Sequence, residues 1–293
     1  MSTLDFAALR ETRAARPGRI AEIFEARTRR EVIQGDGRLF IVAADHPARG
    51  ALGVGSNATA MADRYSLLER LALALSRPGV DGVLGTPDII EDLALLGLLD
   101  DKIVVGSMNR GGLKGASFEM DDRYTAYDID SIVRDGLDFA KNLVRVNLTD
   151  AGSADTLEAT AFAVSEAVNA GVPIMLEPFI CEWVNGKIRN DLSTDAVILS
   201  IAIASGLGNS SSHSWLKLPV VEDMARVMAS TTLPTLLLGG DPTGDQDGTF
   251  QAWRDALTLP GVRGLVVGRS ILYPGNDDVV SAIDTAASLV HGA

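Results

Sequence analysis

Eight short runs of β-branched and aliphatic residues recur along the chain, each closed by Gly, Pro, Asp or Asn and followed by a longer stretch with helical spacing. They read LFIVAA (39–44), VDGVLG (80–85), KIVVGS (102–107), LVRVNL (143–148), VPIMLE (172–177), SWLKL (214–218), PTLLLG (234–239) and RGLVV (263–267). The intervening pattern predicts helices near 60–77, 88–98, 128–141, 153–170, 194–207, 220–231, 248–258 and 276–290. Many open with Asp, Ser or Thr, whose side chains satisfy the free N–H groups of a first turn. Strict alternation of strand and helix imposes a parallel sheet, because a parallel neighbour is reached only by a crossover. Eight such units in 293 residues, with no Pro/Ser-rich linker or break in composition, predict an α/β fold of one (β/α)8 barrel rather than two doubly wound domains. Residues 1–35 then form an N-terminal extension, charged and helical over 5–32, which covers the bottom of the barrel or joins a subunit contact. Residues 36–293 form the barrel itself.

A hydrophobic content of 46% supports a large core and excludes disorder as the main state. With 26 Lys and Arg against 39 Asp and Glu, the net charge of −13 repels nucleic acid and anionic membrane, so an anionic ligand must find a local basic pocket. Cys181 is the only cysteine, which leaves no internal disulfide and no Cys/His metal spacing. The first 30 residues lack the apolar stretch of a signal peptide, and no segment approaches the roughly 20 apolar residues that span a bilayer. A soluble cytoplasmic protein is expected, acting on a small molecule, with neither nucleic acid nor membrane as partner. Barrels of this size commonly form homo-oligomers, and one is expected here.

Barrel enzymes place their chemistry at the C-terminal ends of strands and in the loops that follow. By that rule His46 is the one well-placed histidine, since His213 opens a strand at the opposite rim and His291 lies near the chain end. In Ser214-Trp215-Leu216-Lys217-Leu218-Pro219, strand parity sends Lys217 toward the barrel axis if Leu216 and Leu218 face the helices. Burial lowers a lysine's pKa, and a neutral amine attacks a carbonyl to form a Schiff base; the alternative is a lysine snorkelling to the rim. Glu177 has the same inward parity on the preceding strand and is suited to moving protons beside such a lysine, or else to a structural ion pair with Arg145 or Lys217. Arg145 and Asn147 alternate with three apolar residues and suggest a ligand-facing wall, Arg145 holding a carboxylate or phosphate or a structural partner. Asp45 and His46, closing the first strand before Pro47, are acid/base candidates or simply a turn.

Two glycine turns follow the last strands, Leu238-Gly239-Gly240-Asp241-Pro242 and Val267-Gly268-Arg269-Ser270-Ile271. Glycine lets backbone N–H groups approach an anion, and a helix starting near Arg269 adds its dipole, so Gly239, Gly240, Gly268 and Arg269 are phosphate-binding candidates. The basic, glycine-rich loop Met108-Asn109-Arg110-Gly111-Gly112-Leu113-Lys114-Gly115 suits a mobile lid over an anionic substrate, or is a plain flexible loop. GVGSN at 53–57 lacks a dinucleotide fingerprint's third glycine, and Asp241, Asp245 and Asp247 lack calcium-loop spacing.

WLKLP, VPIMLEP and the LLLGGDP…GLVVGRSI pair resemble the class I, Schiff-base aldolase superfamily of deoxyribose-phosphate, archaeal-type fructose-bisphosphate and tagatose-bisphosphate aldolases. Asp45-His46 resembles the Asp-His pair ending the first strand of the archaeal-type members. The resemblance runs from the first strand to the eighth and implies Lys217 as Schiff-base lysine, Glu177 as acid/base, and Gly239, Gly240, Gly268 and Arg269 as phosphate contacts. It is nearest to actinobacterial aldolase-like barrel proteins associated with myo-inositol catabolism. That implies cleavage of 6-phospho-5-dehydro-2-deoxygluconate to dihydroxyacetone phosphate and malonate semialdehyde. The acid/base tyrosine of archaeal-type members has no counterpart at a strand end, Tyr124 and Tyr127 falling in a loop, which leaves proton transfer among Glu177, Asp45 and His46.

The leading expectation is a lyase that cleaves a C–C bond in a phosphorylated ketose or keto-acid through an imine, needing neither metal nor organic cofactor. The alternatives are a metal-dependent aldolase or epimerase with the ion on Asp45, His46 and Glu177, and a sugar-phosphate-binding barrel without turnover.

Overall fold

The computed structural model describes residues 4–108, 112–240 and 244–292. Among these, nine strands occur: β1 (Leu39–Ala43), β2 (Gly82–Gly85), β3 (Ile103–Ser107), β4 (Phe139–Val146), β5 (Ile174–Val184), β6 (Lys187–Asn190), β7 (Ser214–Pro219), β8 (Thr235–Leu238) and β9 (Val262–Val267). All except β6 run parallel, in the order β4-β3-β2-β1-β9-β8-β7-β5, and β4 pairs with β5 to close an eight-stranded barrel. The surrounding helices are α1 (Phe6–Ala15), α2 (Arg19–Ala26), α3 (Arg64–Leu75), α4 (Pro87–Leu95), α5 (Ile129–Arg134), α6 (Gly152–Ala170), α7 (Thr194–Ser205), α8 (Met224–Met228), α9 (Gln246–Leu257), α10 (Arg269–Leu272) and α11 (Val279–His291). This is the (β/α)8 barrel that the alternating pattern predicts. Asp63, Ser193, Asp245 and Asp278 each cap a helix by accepting from first-turn N–H groups. No helix among the described residues is long and apolar enough to cross a membrane.

Period-2 alternation sorts each strand into two faces. Val42, Val83, Val104, Val144, Leu176, Leu216 and Leu237 pack outward against the helices. Ile41, Leu84, Val105, Phe139, Met175, Leu236 and Val266 fill the barrel axis. Burying either face stabilises the fold by roughly 1.5–3 kcal/mol per large aliphatic side chain.

Two expectations need correction. The helix expected over 128–141 ends at Arg134, because Gly136 adopts φ +62° and stops it, and β4 begins at Phe139 rather than 143. The fifth strand, read as 172–177, is longer than that and opens a hairpin: β5 runs on to Val184, turns through Asn185 (φ +51°) and Gly186 (φ +72°), and pairs antiparallel with β6. Asn-Gly supplies the two positive φ values that a tight two-residue hairpin needs.

The N-terminal extension packs under the barrel. Arg27 donates to the carbonyls of Lys102 (2.8 Å) and Gly136 (2.6 Å) and pairs with buried Asp138, Arg30 pairs with Asp81 at 2.7 Å, and Val32 packs against the axial core. The chain's other end is tied to the same rim, where His291 Nδ1 lies 2.8 Å from Asp36 and Nε2 lies 3.1 Å from Asp81. Hydrogen bonding to Asp81, helped by Asp36, outweighs partial burial and raises the His291 pKa to about 9. A raised folded-state pKa stabilises fully below the unfolded value near 6.5 and the benefit is lost as pH climbs through about 9. His291→Ala is therefore expected to cost about 1 kcal/mol at pH 6 and almost nothing at pH 10, measured by urea denaturation at both values.

Candidate active site

Parallel registry brings the polar inward positions together one step above the apolar core. Leu176 of β5 pairs with Leu216 of β7, so Glu177 and Lys217 stand side by side with the same inward parity. Lys217 Nζ donates to Glu177 Oε1 at 2.9 Å. On the other side of Glu177, Leu143 of β4 is its register partner, and Lys141, two residues earlier on the same face, reaches Glu177 Oε2 at 2.6 Å. Lys141 Nζ also donates to Asp45 Oδ2 at 2.9 Å, just beyond the end of β1. The four side chains form a chain, Lys217–Glu177–Lys141–Asp45, in which both ammonium groups are at most 4% exposed. Below lie Phe139, Met175 and Leu236; above, Leu143, Phe179 and Leu238 contribute a second apolar layer.

The two lysines are not equivalent. Burial pushes Lys217 below the ordinary lysine range, and its single adjacent carboxylate, opposed by the charge of Lys141, does not restore it. Burial acts on Lys141 too, but Asp45 and Glu177 on either side outweigh it and hold its proton more tightly than usual. Glu177 is also pushed up by burial, yet Lys141 and Lys217 bring it down to about 2, and Asp45 falls well below its normal value chiefly through Lys141. Burial drives His46 down to about 3, with Arg269 and Arg49 adding to the effect against Asp45, so the ring is a neutral imidazole. Of the cluster's two amines, Lys217 is the one that gives up its proton first.

Of these groups, His46, Glu177 and Lys217 border a cavity of about 670 Å3 that is also lined by Gly239, Gly240, Gly268 and Arg269. A Cβ on Gly268 would meet the Ala43 carbonyl oxygen at 2.1 Å, so only glycine fits this close approach of β9 to β1. Arg49, Lys114 and Arg189 also border it, the last on β6 of the hairpin. Asp241 and Pro242 of the first glycine turn lie outside the described residues, as do Asn109, Arg110 and Gly111 of the expected lid.

The remainder of that lid segment is held by Arg145. This guanidinium borders the cavity, but Nε donates to Asp122 at 2.8 Å, Nη1 to Glu119 at 3.3 Å, and Nη2 to Asp122 and the carbonyls of Glu119 and Gly112. The structural partnership left open in the sequence is thus present, with Asp122 and Glu119 in place of Glu177. Asn147 does not border the cavity; its Oδ1 accepts from Thr149 in a turn. Tyr124 is occupied with Asn142 at 2.8 Å, and neither it nor Tyr127 borders the cavity. Where a metal bridging Asp45 and Glu177 would sit, the Lys141 ammonium lies instead, and no group of three or more His, Cys, Asp or Glu among the described residues is arranged to hold an ion. Lys141 is the site residue that sequence reasoning missed; the alternation Phe139-Lys141-Leu143-Arg145 was the signal for it.

Residues 37–287 match the Cgl0159-like family. The chain belongs to that family. Its member Cgl0159 from Corynebacterium glutamicum has a crystal structure, 70% identical, covering 99% of this chain and 98% of its own, with a TM-score of 0.97. Outside the family, the Cgl0159-like barrel is similar to a Schiff base-forming fructose-1,6-bisphosphate aldolase (19% identity, 92% and 99% coverage, TM-score 0.67). It is also similar to an archaeal fructose-1,6-bisphosphate aldolase (20% identity, 93% and 100% coverage, TM-score 0.68). Those two likenesses establish a shared fold. No curated protein matches the sequence.

Proposed function

We propose that this Cgl0159-like protein is a class I aldolase that cleaves a phosphorylated ketose or keto-acid through a Schiff base on Lys217. The observation that carries the reading is a Lys217 amine buried at the mouth of a barrel, held 2.9 Å from Glu177 and facing a cavity rimmed by Gly239, Gly240 and Gly268, where burial lowers its pKa from the ordinary lysine value. The fold likeness supports it: one of the similar aldolases forms a Schiff base, and the archaeal one was captured with its catalytic lysine covalently bound to the carbinolamine intermediate. Fold alone does not assign function, so the weight rests on the site.

In this reading the neutral Lys217 nitrogen attacks the ketone carbon, the carbonyl π electrons move onto oxygen, and the nitrogen gives up one proton as the oxygen takes one, which leaves a carbinolamine with a lone pair on nitrogen. A second proton on that oxygen lets it leave as water, and the nitrogen lone pair closes the C=N bond of the iminium. A base then removes the proton from the β-hydroxyl; its oxygen forms the carbonyl of the departing aldehyde, and the electrons of the broken C–C bond move into the iminium to give an enamine. Protonation of the enamine carbon and hydrolysis return the ketone and the free amine. Glu177, bridging both amines, and Asp45 are placed to accept and return these protons, with Lys141 the charged donor between them and the neutral His46 at the rim. The glycine turns and Arg269 hold the phosphate.

For 6-phospho-5-dehydro-2-deoxygluconate, cleavage between the third and fourth carbons yields dihydroxyacetone phosphate and malonate semialdehyde. The chemistry of the cavity supports this substrate, since Arg49, Lys114 and Arg189 border it in addition to Arg269 and suit a second anionic group.

Borohydride reduction in the presence of substrate, followed by peptide mass spectrometry, is expected to leave an adduct on Lys217 of the wild-type protein and none on the Lys217→Ala protein. Activity should survive EDTA. An unlabelled wild-type lysine with active turnover, or a label on Lys141, refutes the assignment; saturable ligand binding with neither adduct nor product identifies a binding protein instead.

A further inference from the structure

Few groups able to hold a sugar hydroxyl border the cavity above Lys217. Among the described residues, Thr249 on α9 and Asn190 at the exposed edge of the hairpin are its only neutral hydroxyl or amide side chains. Glu119 and Arg145 border it too, but Glu119 is taken up by Arg145 and the Gly115 N–H, and Arg145 by Glu119 and Asp122. The cations at the rim aside, Glu177 and His46 are left to receive hydroxyls beside the amine.

The side facing away from the glycine turns is apolar. In the closed sheet β8 and β9, which lead into the turns, lie across the barrel from β3 and β4. A substrate with its phosphate on the turns and its ketone carbon on Lys217 of β7 therefore runs its far half past Glu177 of β5 toward β4. There Leu143 is the register partner of Glu177, and Phe179 stands two residues on with the same inward parity. Both border the cavity together with Ile188 of β6, and Met120 and Cys181 complete the apolar cluster. Leu143 and Phe179 are 4% and 6% exposed, as open to the cavity as Lys217 at 3%.

We propose that Leu143, Phe179 and Ile188 select substrates with a methylene, not a hydroxyl-bearing carbon, just beyond the cleaved bond, so that the released aldehyde has no α-hydroxyl. The proposal rests on the Schiff base of Lys217 and adds the substrate class that this wall admits. The substrate's β-hydroxyl, beside Glu177, becomes the aldehyde oxygen. The next carbon lies against Leu143 and Phe179, where a hydroxyl gives up its water and gains no partner. An anionic group farther out meets Lys114 and Arg189.

The test runs the reaction toward addition with dihydroxyacetone phosphate as donor. The enamine's π electrons form the new bond to the aldehyde carbon, whose oxygen takes a proton to become the β-hydroxyl, and hydrolysis of the iminium frees the product. Propanal and both enantiomers of lactaldehyde, its 2-hydroxy analogue, are compared as acceptors by kcat/KM, alongside borohydride trapping with the donor alone. Wild type is expected to favour propanal by about 100-fold, the discrimination an apolar pocket exerts against one added hydroxyl. Leu143→Asn and Phe179→Tyr, each giving the wall a hydrogen-bonding group, should bring the ratio below about tenfold while Lys217 is still trapped. The wild-type ratio decides even where a variant fails to fold. Trapping with a wild-type ratio near one, with no addition to propanal, or with a ratio unchanged in both variants overturns the proposal and leaves the Schiff base standing. Absence of trapping in wild type refutes the Schiff base, and the proposal with it.

Discussion

Lys141→Met is expected to lower turnover by about 10^3-fold and to move the trapping of Lys217 by borohydride to higher pH. With both amines protonated the four-group cluster is neutral. Lys141, held by Asp45 at 2.9 Å and Glu177 at 2.6 Å, keeps its proton, and its charge helps expel the one on Lys217. Remove Lys141 and two carboxylates face a single ammonium, which then holds its proton more firmly. The sign follows directly: a Lys217 pKa below the ordinary value makes the wild-type rate climb with pH through that lowered pKa, and in Lys141→Met the climb begins at higher pH. Rate profiles from pH 6 to 10, with adduct yield at each pH, measure this; coincident wild-type and variant profiles would mean that the two lysines act independently.

The second large effect is on folding. Arg145→Met is expected to lower stability by about 3–5 kcal/mol in urea denaturation, because it strands Asp122, with a fully buried side chain, and Glu119, at 10% exposure, without their cation. Arg145→Lys should recover only part of this, since an ammonium cannot reproduce the guanidinium's simultaneous bonds to Asp122 and to the carbonyls of Gly112 and Glu119. Adding Asp122→Asn to Arg145→Met should return some of the loss by removing the stranded charge. Equal stability of wild type and Arg145→Met would show that segment 112–122 is held by other contacts.

The pairing of Glu177 with Lys217 could be anticipated because period-2 alternation is local: Leu216 and Leu218 facing the helices force Lys217 inward, and Ile174 and Leu176 do the same for Glu177. The glycine turns were legible for a similar reason, as Gly268 lies where Ala43 leaves no room for a side chain. Lys141 was hidden by the assignment of 128–141 to one helix, although Asp135-Gly136 is an ordinary helix stop. The partners of Arg145 were beyond reach on other grounds. Asp122 and Glu119 lie 23 and 26 residues upstream in a loop with no periodicity, and only the closed barrel brings them to β4. The hairpin of β5 and β6, which sets Arg189 at the cavity, was announced by Asn185-Gly186 but lies beyond the apolar run 172–177 that marks the fifth strand.

The extension beneath the barrel has a consequence for proton traffic. With Val32 plugging the axis from below and Arg27 and Arg30 locked to acidic residues around it, the charged cluster meets solvent on its upper side, across the same opening that admits substrate. In the proposed reaction, a ligand filling that opening would leave the proton of Lys217 to be exchanged with Glu177, its neighbour at 2.9 Å, rather than with bulk water.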